Sequence, residues 1–475
     1  MEEQSSSKKI IIIVGGVVLL LIIIGVVFFM MRSKSPGTGT TSFGALFGSS
    51  GTDVARPTST KINDVGGSSA SGDVTTSGDT SEPLFRQLTT TQVAGGVAVV
   101  RGGVPLVRYV ARENGYVYDV DPKTGKTTQL TNTTIPRIYE AYFANTGNTV
   151  ILRYLKHDDL SRKDIIKTQI ADLVLPLDIS ASSTGSLLIS ETQLPDNISA
   201  VSISPSGNKM FYLLPVSDGI SGTVVNVTTK IAVEVLRNSF SEWLPQMLDS
   251  GNIILTTKAS ANAFGYSYLY DTSKKTLTRL VREKNGLTTL ATPAGERMLY
   301  SENILGVTNL GLYDQKGFAQ DEGEVSHTAS LQLATLPEKC VWSGNRIRAY
   351  CGAFASTPRA QIPDDWYQGA LAFSDTFWTT DTDLADLVFL ADPNKETGKT
   401  LDVFIPFIDK SEEHFFFVDK NDSTLWSMRL ERSKYTTVDE LPFAASSTLP
   451  VLTPAEMRDA AGSMPTTTSV KTKVK

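Results

Sequence analysis

The stretch Ala200-Val-Ser-Ile-Ser-Pro-Ser-Gly-Asn-Lys-Met-Phe-Tyr212 places a tight turn between two short apolar runs. Gly and Asn favour the turn, and short runs rich in Val, Ile, Phe and Tyr are typical of β-strands. A second stretch, Asn114-Gly-Tyr-Val-Tyr-Asp-Val-Asp-Pro-Lys-Thr-Gly-Lys-Thr-Thr-Gln-Leu-Thr131, adds a strand that ends in Asp before a Thr-Gly turn. Together the two stretches predict a unit made of a turn, a strand, a gap and a partner strand.

This unit recurs through residues 83–445, where helical periodicity is almost absent. Its turn signals are Gly102-Gly103, Gly147-Asn148, Gly207-Asn208, Gly251-Asn252, Gly295-Glu296, Gly344-Asn345 and Ser411-Glu412-Glu413. The strands predicted after these turns are Leu106–Val110, Val150–Leu155, Lys209–Leu214, Ile253–Thr257, Arg297–Tyr300, Arg346–Tyr350 and His414–Val418. The recurrence points to a fold built from one repeated β-sheet.

The spacing of the repeats indicates which repeat fold this is. Successive turn signals lie 44 to 68 residues apart, which fits propeller blades of about 40–50 residues that carry some long loops. One blade cannot cover both of its own faces, so neighbours must stack around an axis until the ring closes. The sequence therefore predicts an all-β, seven-bladed β-propeller over residues 83–445. A six- or eight-bladed ring stays open as an alternative, because the strands between residues 370 and 400 are indistinct.

An apolar segment precedes the repeats. From Ile10 to Met31 the chain has 22 consecutive residues without a charge, and a helix of that length, about 33 Å, can cross a hydrocarbon core of roughly 30 Å. A cleaved signal peptide is the alternative, but its apolar core would be about 7–15 residues long. We therefore expect a short cytoplasmic head over residues 1–9 and a single transmembrane helix over residues 10–31. Lys8 and Lys9 balance Arg32 and Lys34, so charge alone does not set the orientation.

The segments on either side of the repeats have the composition of mobile chain. Residues 33–82 contain 29 Ser, Thr or Gly among 50, too little apolar surface to offset the entropy of ordering. We therefore expect a flexible linker over residues 32–82 and a flexible, weakly basic tail over residues 446–475. With a head of only nine residues, the folded body lies after the helix, and we expect it outside the cytoplasm.

The two quoted stretches resemble the repeats of TolB-type, WD40-like β-propellers. In that family a Ser-Pro-Asp-Gly turn precedes one strand, and a strand ending in Asp precedes a Thr-Gly turn; Ser206 stands here in place of the Asp. The resemblance covers about 85–445 and implies a fold rather than an activity. The anchor, linker and propeller together resemble uncharacterised single-pass, membrane-anchored propeller proteins of bacterial envelopes.

Composition excludes several classes of function. The chain has 44 Lys plus Arg against 50 Asp plus Glu, a net charge of −6, whereas a nucleic-acid binder would concentrate basic residues against phosphates. Three His and two Cys cannot form a Cys/His zinc cluster. The chain has no Gly-x-Ser-x-Gly, P-loop or His-Glu-x-x-His motif. We therefore predict no catalytic residue, metal or cofactor.

The two cysteines lie on either side of a turn. Cys340 and Cys351 bracket Gly344-Asn345-Arg346, and in a hairpin that turns there they fall opposite each other. Cβ atoms in that position are about 4.5–5.5 Å apart, close enough to adjust to a disulfide. Two reduced, buried thiols are the alternative, since free Cys is readily buried. In an extracytoplasmic protein we expect the Cys340–Cys351 disulfide.

The longest insertion holds the stretch Pro363-Asp-Asp-Trp-Tyr-Gln-Gly369. Aromatic rings beside carboxylates suit a sugar, a peptide partner or Ca²⁺, although acidic loop residues also commonly cap turns. We predict a partner-binding patch formed by Asp364, Asp365, Trp366, Tyr367 and Gln368. The sequence thus favours a membrane-tethered, non-enzymatic platform that binds a protein of the bacterial envelope. The alternative is a propeller enzyme or carbohydrate-binding module that acts on envelope polymers.

Overall fold

The computed structural model describes residues 82–173, 188–319, 325–356, 358–383, 386–430 and 436–437. No helix within these ranges is long and apolar enough to cross a membrane. The predicted head, the predicted transmembrane helix over residues 10–31, the tail over residues 446–475 and all of the predicted linker except Glu82 lie outside the described residues. The regular secondary structure of the described chain is almost entirely β-strand.

The first three blades follow one another along the chain. The opening strand, β1 (Phe85–Gln87), belongs to the last blade. Blade 1 comprises β2 (Val93–Arg101), β3 (Val104–Ala111), β4 (Val117–Val120) and β5 (Thr127–Gln129). Blade 2 comprises β6 (Ile138–Ala144), β7 (Thr149–Asp158), β8 (Lys163–Leu173) and β9 (Leu188–Gln193). Blade 3 comprises β10 (Ala200–Ile203), β11 (Lys209–Val216), β12 (Gly219–Asn226) and β13 (Ala232–Asn238).

Blades 4 to 7 repeat this order. Blade 4 comprises β14 (Trp243–Met247), β15 (Ile253–Thr257), β16 (Phe264–Asp271) and β17 (Thr276–Asn285). Blade 5 comprises β18 (Thr289–Ala291), β19 (Arg297–Ile304), β20 (Val307–Ala319) and β21 (Val325–Ser330). Blade 6 comprises β22 (Cys340–Trp342), β23 (Arg348–Phe354), β24 (Asp375–Asp381) and β25 (Asp386–Ala391). Blade 7 comprises β26 (Val403–Ile408), β27 (His414–Asp419), β28 (Leu425–Arg429) and β1.

Few elements lie outside the four-stranded pattern. β29 (Thr436–Thr437) adds a fifth strand to the edge of blade 6 by pairing with β25. The α-helices of the described chain are α1 (Asp364–Tyr367) and α2 (Pro393–Thr397), and short 3-10 turns occur at Asn145–Gly147 and Pro337–Lys339. The described residues thus form seven sheets, which confirms the seven-bladed propeller and leaves no room for the six- or eight-bladed alternative.

The two ends of the propeller meet in blade 7. β1 pairs antiparallel with β28, so that Phe85 lies opposite Met428 and Gln87 opposite Trp426. The outer strand of the last blade therefore comes from the start of the described chain and the other three strands from its end. Backbone hydrogen bonds between these strands close the ring.

The core of the propeller lies between its blades. All six residues of β27 are buried, because the middle strands of a blade are covered on both faces by the neighbouring blades. Val107 of β3, for example, packs with Phe416 and Val418 of β27. Close approach near the axis depends on a glycine: a Cβ at Gly95 of β2 would lie 2.0 Å from the carbonyl oxygen of Ala141 in β6.

Blade 6 carries the predicted disulfide. Cys340 and Cys351 lie opposite each other in the β22–β23 pair and are bonded, with their Cα atoms 4.1 Å apart. The prediction from their spacing is confirmed. Closing a loop of this size stabilises the fold by about 2–3 kcal/mol, mainly by restricting the unfolded chain.

A buried ion pair lies within blade 1, and its arginine also contacts blade 2. Arg108 of β3 donates from Nε to Asp119 Oδ1 over 2.7 Å and from Nη2 to Asp119 Oδ2 over 2.9 Å. Its Nη1 donates to the carbonyl oxygen of Gly147, in the 3-10 turn of blade 2, over 2.9 Å. Arg101 Nη1 also donates to Asp119 Oδ2, over 3.2 Å. Arg108 is 1% exposed and Asp119 is 2% exposed, so their charges depend on these contacts in place of water.

Candidate functional site

The insertion over residues 355–374 connects β23 to β24. In each antiparallel blade, the connection between the second and third strands leaves from the same end of the ring. Two contacts place the insertion there. Asp364 Oδ2 accepts a hydrogen bond over 2.6 Å from the backbone N–H of Ala261, in the β15–β16 connection of blade 4. Lys420, in the β27–β28 connection of blade 7, donates from Nζ to the carbonyl oxygen of Trp366 over 2.7 Å.

The five residues predicted to bind a partner are placed very differently from one another. Trp366 is 0% exposed, Asp364, Asp365 and Tyr367 are half-buried, and only Gln368 is exposed. Asp365 Oδ2 accepts a hydrogen bond from the backbone N–H of Gln361 over 2.8 Å, within the loop itself.

The ring of Trp366 is a core side chain of this end of the propeller. It packs against Phe373 and Phe404, and Nε1 donates to both carboxylate oxygens of Asp402, over 3.1 and 3.0 Å. The buried indole is therefore not an exposed aromatic platform of the kind that the sequence suggests. The partner-binding role of the loop stays a prediction, and Gln368 is the only one of its five residues that is exposed.

Tyr367 also forms its hydrogen bond with a residue of the propeller itself. Its hydroxyl donates to Glu338, whose other carboxylate oxygen accepts a hydrogen bond over 2.7 Å from the Thr288 hydroxyl. Burial raises the pKa of Glu338 and, together with the adjacent carboxylate, raises the pKa of Tyr367 well above its usual value. These contacts fasten the insertion to the starts of blades 5 and 6.

Beneath Trp366 lies a cluster that no motif of the sequence indicates. The ammonium of Lys339 contacts Asp402 and lies 2.6 Å from Asp375 Oδ2. All three side chains are 0% exposed. Burial raises the pKa of Asp375 to about 6. A group with no exposed atom cannot touch an external substrate, so this cluster is not an open active site.

Asp419 lies next to the cluster, and its burial is expected to make the stability of the fold depend on pH. Its Oδ1 accepts a hydrogen bond over 3.0 Å from the backbone N–H of Asp402, and burial raises its pKa from 3.8 to about 6. Below pH 3.8 both the folded and the unfolded chain hold the proton, so the carboxyl costs no stability. Between pH 3.8 and about 6 the unfolded chain ionises first, so the free energy of unfolding falls as the pH rises.

Asp419→Asn is expected to remove this fall. The amide keeps the acceptor oxygen without the charge, so the variant should gain up to about 3 kcal/mol over the wild type above pH 6 and nothing at pH 3.8. Urea unfolding at pH values from 3.8 to 7 measures the difference between the two proteins. Asp375 is present in both, so its own titration cancels. Parallel pH profiles would show that Asp419 does not titrate in this way.

An open groove lies at the outer edge of blades 3 and 4. Its volume is about 500 Å³, and Ile231 and Val233 on its rim are 63% and 56% exposed. Its apolar lining comprises Val224, Ile231, Val233, Val235 and Met247, and its polar lining Lys209, Asn226, Thr229, Ser250, Gly251 and Thr272. A second groove, of about 350 Å³, shares Val235 with the first and includes Leu277, 42% exposed. The strand pattern of Ile231 and Val233 does not predict the exposure of their apolar side chains.

Comparison with known proteins yields similarities of fold. No family model matches the sequence, and no curated protein matches it. Among solved structures, TolB from Acinetobacter baumannii is 13% identical with a TM-score of 0.36, over 71% of this chain and 79% of that one. An oligogalacturonate lyase from Vibrio parahaemolyticus is 9% identical with a TM-score of 0.47, over 74% and 94%.

The tricorn protease is 10% identical with a TM-score of 0.44, over 73% of this chain and 34% of that one, so the chain spans about a third of its length. At such identities the similarity concerns the fold alone. The strand order of the chain itself, seven sheets closed by β1, identifies it as a seven-bladed β-propeller.

Proposed function

We propose that this protein is a membrane-tethered, extracytoplasmic β-propeller that acts as a non-enzymatic protein-interaction platform in the bacterial envelope. The uncharged segment over residues 10–31 supports the tether. The Cys340–Cys351 disulfide supports an oxidising compartment, since such bonds are rare in the cytosol. The observation that carries the binding role is the apolar groove beside β13.

The groove suits an extended peptide segment. β13 is the last strand of its sheet in the described chain, and a strand edge offers unpaired backbone groups to an incoming segment. A segment that pairs there places alternate side chains over Ile231 and Val233. Lys209 in the groove wall makes no ion pair with any described residue. We therefore expect a partner segment that combines apolar side chains with a carboxylate.

Ile231→Glu is expected to weaken partner binding at least tenfold, because it places a charge where an apolar side chain is to be buried. Cross-linked pull-down of the full chain, tagged after Lys475, identifies the partner, and titration with the purified partner gives the affinities. Leu160→Glu is the matched control, since Leu160 is 96% exposed at the turn between β7 and β8. Equal affinity of the two variants would contradict the groove as the binding site.

The location is tested separately. Protease added to intact cells is expected to cut within residues 32–82 and release the propeller into the medium, because the linker is proposed to lie outside the cytoplasm. The same protease added to lysed cells provides the control for cleavage. A propeller that is protected until lysis would contradict the proposed orientation.

The enzyme or carbohydrate-binding alternative needs acidic groups that a polymer can reach. Asp375 and Asp419, whose pKa values burial raises to about 6, are both buried. Such enclosed carboxyls do not favour this alternative over the platform. Recovery of the propeller without any protein partner would favour it.

A further inference from the structure

The cluster beneath Trp366 brings an amine and a carboxyl together out of contact with water. Lys339 Nζ lies 2.6 Å from Asp375 Oδ2, and both side chains are 0% exposed. Aromatic rings cover the amine: Nζ lies 4.8 Å from the centre of the Phe373 ring, 4.9 Å from that of Trp366 and 5.8 Å from that of Phe354. The ring faces attract the ammonium of Lys339, whereas burial penalises the charged form of Asp375.

The two carboxyls that contact Lys339 have unequal surroundings. Asp402 Oδ1 and Oδ2 both accept from Trp366 Nε1, and Oδ2 also accepts from the backbone N–H of Phe373 over 2.9 Å. Asp375 Oδ2 accepts from the backbone N–H of Val403 over 2.7 Å. Asp375 Oδ1, by contrast, is buried and has no hydrogen-bond partner among the described residues. Both oxygens of Asp402 thus accept hydrogen bonds, whereas one oxygen of Asp375 accepts none from a described residue.

We propose that Lys339 and Asp375 condense to form an intramolecular isopeptide bond, with Asp402 as the proton acceptor. The raised pKa of Asp375 makes its neutral acid, the electrophilic form, accessible near neutral pH. The ammonium of Lys339 gives one proton to Asp402, and the free amine attacks Cγ of the neutral Asp375 acid. The C–N bond forms and the Cγ–Oδ1 bond breaks. Oδ1 leaves as water with the acid proton and a second proton from nitrogen.

The atoms and charges of this step balance within the cluster. Of the three protons on the ammonium, one moves to Asp402, one leaves in the water and one stays on the amide nitrogen. The cluster begins with one ammonium, one carboxylate and one neutral acid, and it ends with an amide, a neutral Asp402 and one water. No oxidant or reductant is needed.

The amide product fits the contacts already present. Its carbonyl oxygen is the former Asp375 Oδ2, which keeps the hydrogen bond from the Val403 N–H. Its N–H points at Asp402, the other partner of Lys339. The oxygen without a partner, Oδ1, is the one that leaves. The reaction therefore removes buried charges, which are costly in an apolar interior. It gives up one longer hydrogen bond, from Lys339 Nζ to the Val403 carbonyl oxygen over 3.2 Å.

Mass spectrometry of the full chain tests the proposal. After the disulfide is reduced, the isopeptide bond is expected to lower the mass of the chain by one water molecule. Trypsin is expected to yield a branched peptide that joins Lys339 to Asp375. Trypsin does not cut after an acylated lysine, so cleavage after Lys339 is expected to be absent. The wild-type protein alone is enough to overturn the proposal. It would do so by yielding free linear peptides on both sides of Lys339, at the masses that the sequence gives.

Variants identify the reacting groups. Lys339→Arg keeps the positive charge but cannot form this bond, so the mass deficit is expected to disappear. Lys420→Arg is the matched control: Lys420 Nζ lies 5.1 Å from the centre of the same Trp366 ring, and its replacement is expected to leave the deficit intact. The Asp375→Asn variant is expected to form the same bond to Lys339, with ammonia as the leaving group in place of water. A branched peptide that ends at Asp402 would overturn the assignment of Asp375 as the acyl group.

Discussion

Replacing Trp366 by Ala is expected to lower the free energy of unfolding by about 3–5 kcal/mol, the usual cost of truncating a fully buried Trp. Trp366 is 0% exposed and packs in one cluster with Phe354, Phe373, Leu336 and Ile362. The substitution leaves a cavity and also removes the indole N–H that donates to Asp402. Both losses act on the folded state, so the midpoint of urea unfolding should fall.

Gln368→Ala provides the matched control for this prediction. Gln368 lies two residues away in the same loop but is exposed, so its replacement should change stability by no more than about 0.5 kcal/mol. A Trp366→Ala protein as stable as Gln368→Ala would mean that the indole lies at the surface, as the sequence suggests. Loss of binding in a Trp366 variant is interpretable only after its folding has been checked.

The second large effect is expected at Arg108. Arg108→Met removes the closer of the two guanidinium groups that contact the buried Asp119 and leaves only Arg101 Nη1, at 3.2 Å. It should cost about 3 kcal/mol, the lower end of the cost of breaking a buried ion pair. The substitution also removes the hydrogen bond to the Gly147 carbonyl oxygen, so the contact between blades 1 and 2 weakens. Urea unfolding of the variant and the wild type measures the difference.

An exposed ion pair supplies the comparison. Arg137 and Asp164 also contact each other, but their side chains are 47% and 38% exposed. Arg137→Met should therefore cost no more than about 1 kcal/mol. Similar losses in Arg108→Met and Arg137→Met would show that burial does not decide the strength of these pairs.

The sequence is sufficient to predict the propeller because its signals are local. The Gly207-Asn208 turn and the strand after it are adjacent in the chain, and seven similar units at blade spacing imply a closed ring. The disulfide is predictable for the same reason, since Cys340 and Cys351 flank a single hairpin.

The candidate sites depend on contacts that are distant in the sequence. Trp366 is buried where it donates a hydrogen bond to Asp402, 36 residues further along the chain. No local sequence pattern indicates that contact. Lys339 meets Asp402 across 63 residues. Conversely, Ile231 and Val233 follow an ordinary strand pattern, and only the stacking of blades 3 and 4 determines that they are exposed.

The closure of the ring in blade 7 also sets when the fold can be completed during synthesis. Arg86 of β1 and its partner Ser427 of β28 are separated by 341 residues, so a ribosome that adds about 5–20 residues per second needs roughly 20–70 s to make the second after the first. Throughout that interval β1 is a strand without a sheet, and blade 1 lacks its neighbour on one side. Completion of the ring is therefore the last event in the assembly of this fold.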